Sequence, residues 1–248
     1  MERVELHFHL LPGVDDGPAD LPAALELARE AVADGTRLVT CTPHVRCVDV
    51  SEIPERVREL SSALKRARVG LEIRDGAELA WDDVDRLDGA SLDGLAHGPA
   101  GRRWLLLEAP LPGAGELEDF EASARELRDR GFGLLIGHPE RSPAVTRAPG
   151  AVERLLAAGD RLQLNGSSLT GSHGAGPRTA GLELARAGHI TIIASDAHRP
   201  TVRGPVLGQA VSVLRQNGID ADAAHRLTAA NPRALLERGL APARRMAA

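Results

Sequence analysis

The stretch FGLLIGHPER, residues 132–141, decides the fold. Its apolar run LLIG has no polar alternation, which suits a strand covered on both faces in a parallel sheet flanked by crossover helices. ITIIASDAHR, residues 190–199, repeats the form, an apolar run ending in Asp196 and His198. Working outward, five more stretches read as strands: 4–10, 36–44, 70–79, 103–110 and 161–169. Amphipathic helical patterns alternate with them at 21–35, 51–67, 116–131, 151–160, 178–189, 204–218 and 223–239. Asp20 and Ser51 are placed to cap the first two helices, and Gly35 lies just past the first. Residues 241–248, APARRMAA, read as a frayed tail.

Seven strands alternating with helices predict an α/β domain whose parallel sheet is wound or closed by crossovers. A single barrel-like domain over residues 1–248 is the simplest reading, since no linker, repeat or low-complexity tract interrupts the chain. A doubly wound open sheet competes, but no G-x-G-x-x-G follows the first strand. No run of 18 apolar residues is present, and no apolar segment at the N-terminus suggests a secretory signal. The two cysteines, Cys41 and Cys47, do not make a disulfide framework and fit a reducing cytoplasm. A net charge of −5, no tyrosine and only five Phe or Trp argue against a nucleic-acid partner.

Six of the seven strands end in a residue that can bind a metal, at the end where parallel α/β folds place their sites. The first supplies His7 and His9, with Asp15 following in the loop; the second ends at His44. Glu78, Glu108 and His138 end the third, fourth and fifth, and Asp196 and His198 the seventh. The sixth ends in NGSS instead. His7 and His9 share a strand face at i and i+2, as do Asp196 and His198. A single H-x-H, TPH or GAE is commonly structural; nine such residues at one rim point to a metal site. His97, His173, His189 and His225 lack that placement and default to surface or helix caps. Cysteine-based phosphatase chemistry is excluded, because Cys47 and Ile53 stand where an arginine six residues after each cysteine is needed. Cys41 reads as a small buried hydrophobe.

HFHLLPGVDDG, TPH, GAEL, LLLEAP, GHPER, NGSSLTG and ASDAH, with Arg203 following, resemble the polymerase-and-histidinol-phosphatase (PHP) superfamily. LPGVDDG, HPER and SLTG narrow the resemblance to its CpsB/CapC-type branch, the manganese-dependent bacterial protein-tyrosine phosphatases of capsule and exopolysaccharide synthesis. The likeness runs from residue 4 to about 236. It implies a distorted seven-stranded (β/α)7 TIM-like barrel, the PHP fold, holding three divalent ions, with Mn2+ preferred and Fe or Zn open. By the same resemblance His7, His9 and Asp196 hold one ion, and Glu78 bridges to a second completed by Glu108 and His138. Asp15, His44 and His198 hold the third, while Asp16 supports the turn or a neighbouring ligand. Arg141, Arg203 and His44 are implied at the substrate phosphate; for Arg141 the bland alternative is a cap on the next segment. The implied partner is the phosphotyrosine tail of a bacterial tyrosine kinase in the cytoplasm, without membrane insertion, and a homo-oligomer is compatible. SHG after SLTG, Arg199 after DAH and VRGP around Arg203 depart from the branch at the mouth of the site.

A nitrogen-and-oxygen donor set suits Mn, Fe or Zn. Four carboxylates (−4) against three divalent ions (+6) leave about +2, which attracts a phosphate dianion, whereas two ions leave about zero. In-line attack by a metal-bridging hydroxide, with arginine offsetting charge on the phosphoryl oxygens, is the mechanism this set implies. Tyrosine's phenolate, with a pKa of about 10, leaves without strong acid help, unlike an alkyl alcohol. Two rivals stay open: a histidinol-phosphate or other small-molecule PHP phosphoesterase, and a non-catalytic metal-stabilised binding protein.

Overall fold

The computed structural model describes residues 2–200 and 202–241. Residues 242–248, most of the expected tail, lie outside them, and Ala241 is exposed. Eight strands are present among the described residues: β1 (Arg3–Phe8), β2 (Thr36–Cys41), β3 (Glu72–Asp75), β4 (Glu78–Leu79), β5 (Trp104–Glu108), β6 (Gly133–Gly137), β7 (Arg161–Asn165) and β8 (Ile190–Ala194). All neighbours pair in parallel, in a three-stranded sheet β1-β2-β3 and a five-stranded sheet β4-β5-β6-β7-β8. Single bridges at Phe8–Ala197 and His44–Glu78 join the carboxyl ends of the two sheets.

The eighth strand arises where the sequence predicts one strand over 70–79. Its first half pairs with β2 (Cys41 opposite Asp75) and its second with β5 (Glu78 opposite Leu106). The step between sheets falls at Gly76, where a Cβ would come within 2.6 Å of both His97 Nε2 and Thr40 Cγ2. Only glycine fits that gap. The step moves Glu78 out of line with β3 and sets it beside His44.

All five residues of β6 are buried, as its apolar run predicts. The larger core cluster packs the apolar faces of the helices on both sheets, with Leu27, Leu60, Phe120 and Leu214 among its buried members. Asp20 caps helix Leu21–Ala33 by accepting the Ala23 amide, as expected. Ser51 does not cap the second helix, Ile53–Arg66; Asp49 instead accepts the Ser51 amide and caps a short 3-10 turn, Val50–Glu52, that precedes it. Two elements between β4 and β5 escaped the periodicity, a 3-10 segment Trp81–Arg86 and helix Gly89–Leu95, both too short to repeat a pattern. The helix expected over 178–189 starts earlier and spans Ala175–Arg186. The last one, expected over 223–239, is broken by a π turn at Arg226–Ala230. Pro232 follows and offers no amide to the Thr228 carbonyl. No described helix is long and apolar enough to cross a membrane.

Candidate metal centre

The carboxyl ends of the strands carry the donors. Backbone hydrogen bonds from His9 N to Ala197 O (2.9 Å) and from Asp196 N to His7 O (3.1 Å) zip the end of β8 to β1. That register brings His7, His9, Asp196 and His198 together. His44 and Glu78 meet across their bridge, where Glu78 N donates to Pro43 O at 3.1 Å. His138 leaves β6 in a left-handed conformation (φ 35°), and Asp196 leaves β8 in another (φ 52°). Such backbones cost a non-glycine residue about 1–3 kcal/mol and occur where the surroundings fix them for a purpose.

Four donor groups result among the described residues: His7, His9 and Asp196; His7, Glu78 and His138; His44, Glu78 and Glu108; and His9, Asp16, His44 and His198. His7 Nε2 lies 3.1 Å from Glu78 Oε1 and 3.4 Å from Asp196 Oδ1. His138 Nε2 lies 3.3 Å from Glu78 Oε1 and 3.6 Å from Glu108 Oε1. Eight of the nine expected ligands therefore converge. The exception is Asp15, which belongs to none of the four groups. Its Oδ2 accepts from His9 Nδ1 at 2.7 Å and from the His44 amide at 3.2 Å, and its Oδ1 accepts from the Gly17 amide at 3.0 Å. Asp16, expected only to support the turn or a neighbouring ligand, takes the place expected of Asp15, with Oδ1 3.0 Å from His198 Nε2 and 3.6 Å from His44 Nε2.

The donor chemistry fits cations. His9 Nε2 and His7 Nε2 approach to 3.4 Å, although each ring's Nδ1 already faces an acceptor oxygen. Two such lone pairs repel unless a positive charge sits between them. His198 Nδ1 donates to the Asp196 carbonyl at 2.9 Å, and its buried Nε2 faces Asp16 Oδ1 at 3.0 Å out of line for a hydrogen bond. The titration behaviour agrees. Burial pushes Glu108 up, reinforced by Glu78, whereas Glu78 is held low against its own burial by His7 and His138. Burial opposes a charge on His7, but Glu78 and Asp196 overcome it and raise the imidazole. Burial likewise works against His9, yet Asp15 and Glu78 hold it up at about 10. Asp16 is lowered first by its contact with His198. Buried carboxylates and imidazoles this close place protons where metal ions would supply the charge.

Two arginines border the donors. Asp196 Oδ2 accepts from Arg141 Nη1 (2.9 Å), Arg203 Nη2 (3.2 Å) and Asn165 Nδ2 (2.8 Å), so its other oxygen is left to the histidines. Arg141 is set by the 3-10 turn Pro139–Arg141, not used as a cap. Arg203, unplaced by sequence, returns to the site through its backbone bridge to Arg199. A cavity of ≈ 240 Å³ opens onto Asp16, His44, Glu78, Glu108, Arg141 and Arg203, with Leu111 the one aliphatic side chain on its wall among the described residues.

Three supporting residues went unrecognised in the sequence. Gln163 Oε1 faces His7 Nδ1 at 3.0 Å and accepts the His138 amide at 3.1 Å. Asn165 holds Asp196, and Glu140, pushed up by burial to about 7, accepts from Ser168 Oγ at 2.7 Å and from the Asn165 amide. The signal was the i, i+2 spacing of Gln163 and Asn165 on the one strand without a ligand. Of the other histidines, His97 packs on Trp104 with ring centroids 4.7 Å apart. His173 is half-buried and feels Arg141 and Arg203 after burial itself, which together lower it to about 4. Neither is the free surface or cap residue expected.

The family model for capsular polysaccharide synthesis, CpsB/CapC, matches residues 3–237. A tyrosine-protein phosphatase, YwqE of Bacillus subtilis (strain 168), is 29% identical over 218 residues, covering 86% of this chain and 84% of its own. A tyrosine-protein phosphatase CpsB of Streptococcus agalactiae is 24% identical, covering 85% of this chain and 89% of its own. Among solved structures, one reported for YwqE from Bacillus subtilis and CpsB from Streptococcus pneumoniae, described as metal-dependent tyrosine phosphatases, superposes with a TM-score of 0.79. It shares 26% identity and covers 94% of each chain.

Proposed function

Because the chain belongs to the CpsB/CapC family of capsular polysaccharide synthesis, we propose that it is a metal-dependent protein-tyrosine phosphatase. The observation that carries this reading is the convergence of four His and carboxylate groups on one cavity with Arg141 and Arg203 on its wall beside Asp196. The names of the similar phosphatases support it. In this reading the two sheets are the seven staves of a distorted barrel, the third stave divided at Gly76.

Three divalent ions are proposed, with Mn2+ preferred and Fe or Zn compatible with the donors. His7, His9 and Asp196 would hold one, Glu78, Glu108 and His138 a second, and Asp16, His44 and His198 the third. When bound, such ions lower the pKa of water towards about 7 and offset charge on phosphoryl oxygens. The chain's own residues do the rest. Arg141 and Arg203 share one oxygen of Asp196, and a phosphate offers their flat donor forks further acceptors. His44 is the most open imidazole of the cluster, 27% exposed against 0–2% for the other four, and meets the phosphate from the rim. Leu111 gives an aromatic ring an apolar wall, and a phenolate needs no dedicated acid to leave.

The substrate proposed is the phosphotyrosine tail of a bacterial tyrosine kinase in the cytoplasm; the unpaired Cys41 and Cys47 are compatible with that compartment. Metal-loaded protein should release phosphate faster from a phosphotyrosine peptide than from histidinol phosphate, and chelation should abolish both. Faster histidinol phosphate turnover would transfer the assignment to a small-molecule phosphoesterase, and metal binding without turnover would leave a binding protein.

A further inference from the structure

Gln163 is fully buried on β7, opposite Gly137 of β6, and touches two ligands from different strands with one atom. Its Oε1 accepts the backbone amide of His138 at 3.1 Å and faces His7 Nδ1 at 3.0 Å. A backbone amide is always a donor, so the atom opposite it is the carbonyl oxygen and the side-chain amide cannot be flipped. The oxygen that faces His7 Nδ1 then requires a proton on that nitrogen. In a neutral ring this leaves His7 Nε2 bare, aimed at Glu78 Oε1 and Asp196 Oδ1, the side where cations fit.

Building on the metal-dependent reading above, we infer that Gln163 is a positioning residue that fixes both the tautomer of His7 and the left-handed turn of His138. The same oxygen anchors the start of HPER, where His138 has φ 35°. The choice of an amide has a reason. A glutamate could accept both bonds, but it would add a negative charge behind a cluster that already holds four carboxylates facing the cavity. An apolar residue would leave the His138 amide buried without an acceptor and His7 free to turn. The amide nitrogen of Gln163 is itself buried without a partner, a cost the fold bears at this position.

The test measures Zn2+ binding, with no turnover involved. Gln163→Met keeps the volume and removes the acceptor, and should weaken Zn2+ affinity about 10- to 100-fold in chelator competition, the usual effect of losing a ligand's supporting partner. Gln163→Glu restores the acceptor and should recover affinity to within a few-fold of the parent. Because Gln163→Met can fail to fold, 15N spectra of the parent protein loaded with diamagnetic Zn2+ supply the second measurement: His7 should carry its proton on Nδ1 and the metal on Nε2. Parent-like affinity in Gln163→Met, or His7 coordinated through Nδ1, would overturn the assignment while leaving the phosphatase reading intact. A parent protein that binds no divalent ion would overturn both.

Discussion

Asp15→Asn and Asp16→Asn should produce different failures, although the two carboxylates are adjacent in the chain. Asp15 accepts three hydrogen bonds, all from donors: His9 Nδ1, the His44 amide and the Gly17 amide. In Asp15→Asn the new side chain must turn its NH2 towards at least one of them, replacing an acceptor by a clash of donors. Hydrogen bonds to a charged group are worth about 1.5–3 kcal/mol, and loss of a ligand's outer partner costs about 10–100-fold in metal affinity or rate. All three ions should still bind at saturating metal. Asp16, by contrast, points its Oδ1 at His198 and His44. Asp16→Asn should lose the third ion outright. Two unit charges 4 Å apart at an effective dielectric of about 20 interact by roughly 4 kcal/mol, so losing that ion's field at the phosphate should slow turnover about a thousandfold. The assay pairs elemental analysis of gel-filtered protein with saturation kinetics on a phosphotyrosine peptide. If Asp15→Asn comes off the column one ion short and Asp16→Asn retains the full complement, the assignment of the two residues is backwards.

Titrating metal into stripped protein should show rate rising mainly with the third equivalent, since two ions only neutralise the four carboxylates; a full rate at two ions would sink that count. Arg141→Lys, which loses the forked donor set beside Asp196, should reduce kcat/KM by about 10- to 100-fold while metal content is unchanged, and parent-like kinetics would remove Arg141 from the phosphate site. His97 is kept neutral by burial against Trp104, its pKa lowered from 6.5 to about 4. The unfolded chain takes up that proton first, so stability should be complete above pH 6.5 and fall as pH drops towards 4, by at most about 3 kcal/mol. Denaturant melts of His97→Asn should show a flatter acid limb, and an unchanged limb would clear His97 of that role. Gly76→Ala places a Cβ within 2.6 Å of His97 and Thr40 and should destabilise the fold by about 1–3 kcal/mol in the same melts.

The fold was legible where a stretch was long and one-sided. The apolar runs of β6 and β8 suit strands covered on both faces, and Asp20 declared a helix start through a hydrogen bond that depends on local sequence alone. What the sequence could not express was a change of partner within one stretch. Residues 70–79 lie between two helical stretches and read as one strand, yet pairing passes from β2 to β5 at Gly76 under a steric demand from His97, twenty-one positions further on. Ser51 misled because its own amide and hydroxyl both donate to Asp49, so it is used inside the 3-10 turn that precedes the helix.

At the site, positions at or within a few residues of a strand end were readable and those further into loops were not. Alternation with period two carries from His7 on β1 to His9 just past its end, whereas Asp196 and His198 lie beyond β8, with Asp196 left-handed, and are placed by the backbone bonds to β1. The same alternation joins Gln163 to Asn165, where the rule held but amides do not announce metal chemistry as imidazoles and carboxylates do. Beyond the strand no such rule applies. VDDG offers two carboxylates at consecutive positions, and spacing from His9 cannot say which of them turns inward. The choice is made by the acceptors and donors around them. His9 Nδ1 and the His44 and Gly17 amides form a ring of donors that one carboxylate fills from behind, and Asp15 reaches it first along the chain. Asp16 is then left at the rim with His44, His198 and Arg203. The paired aspartates thus divide into one that accepts from His9 Nδ1 and one that faces the cavity.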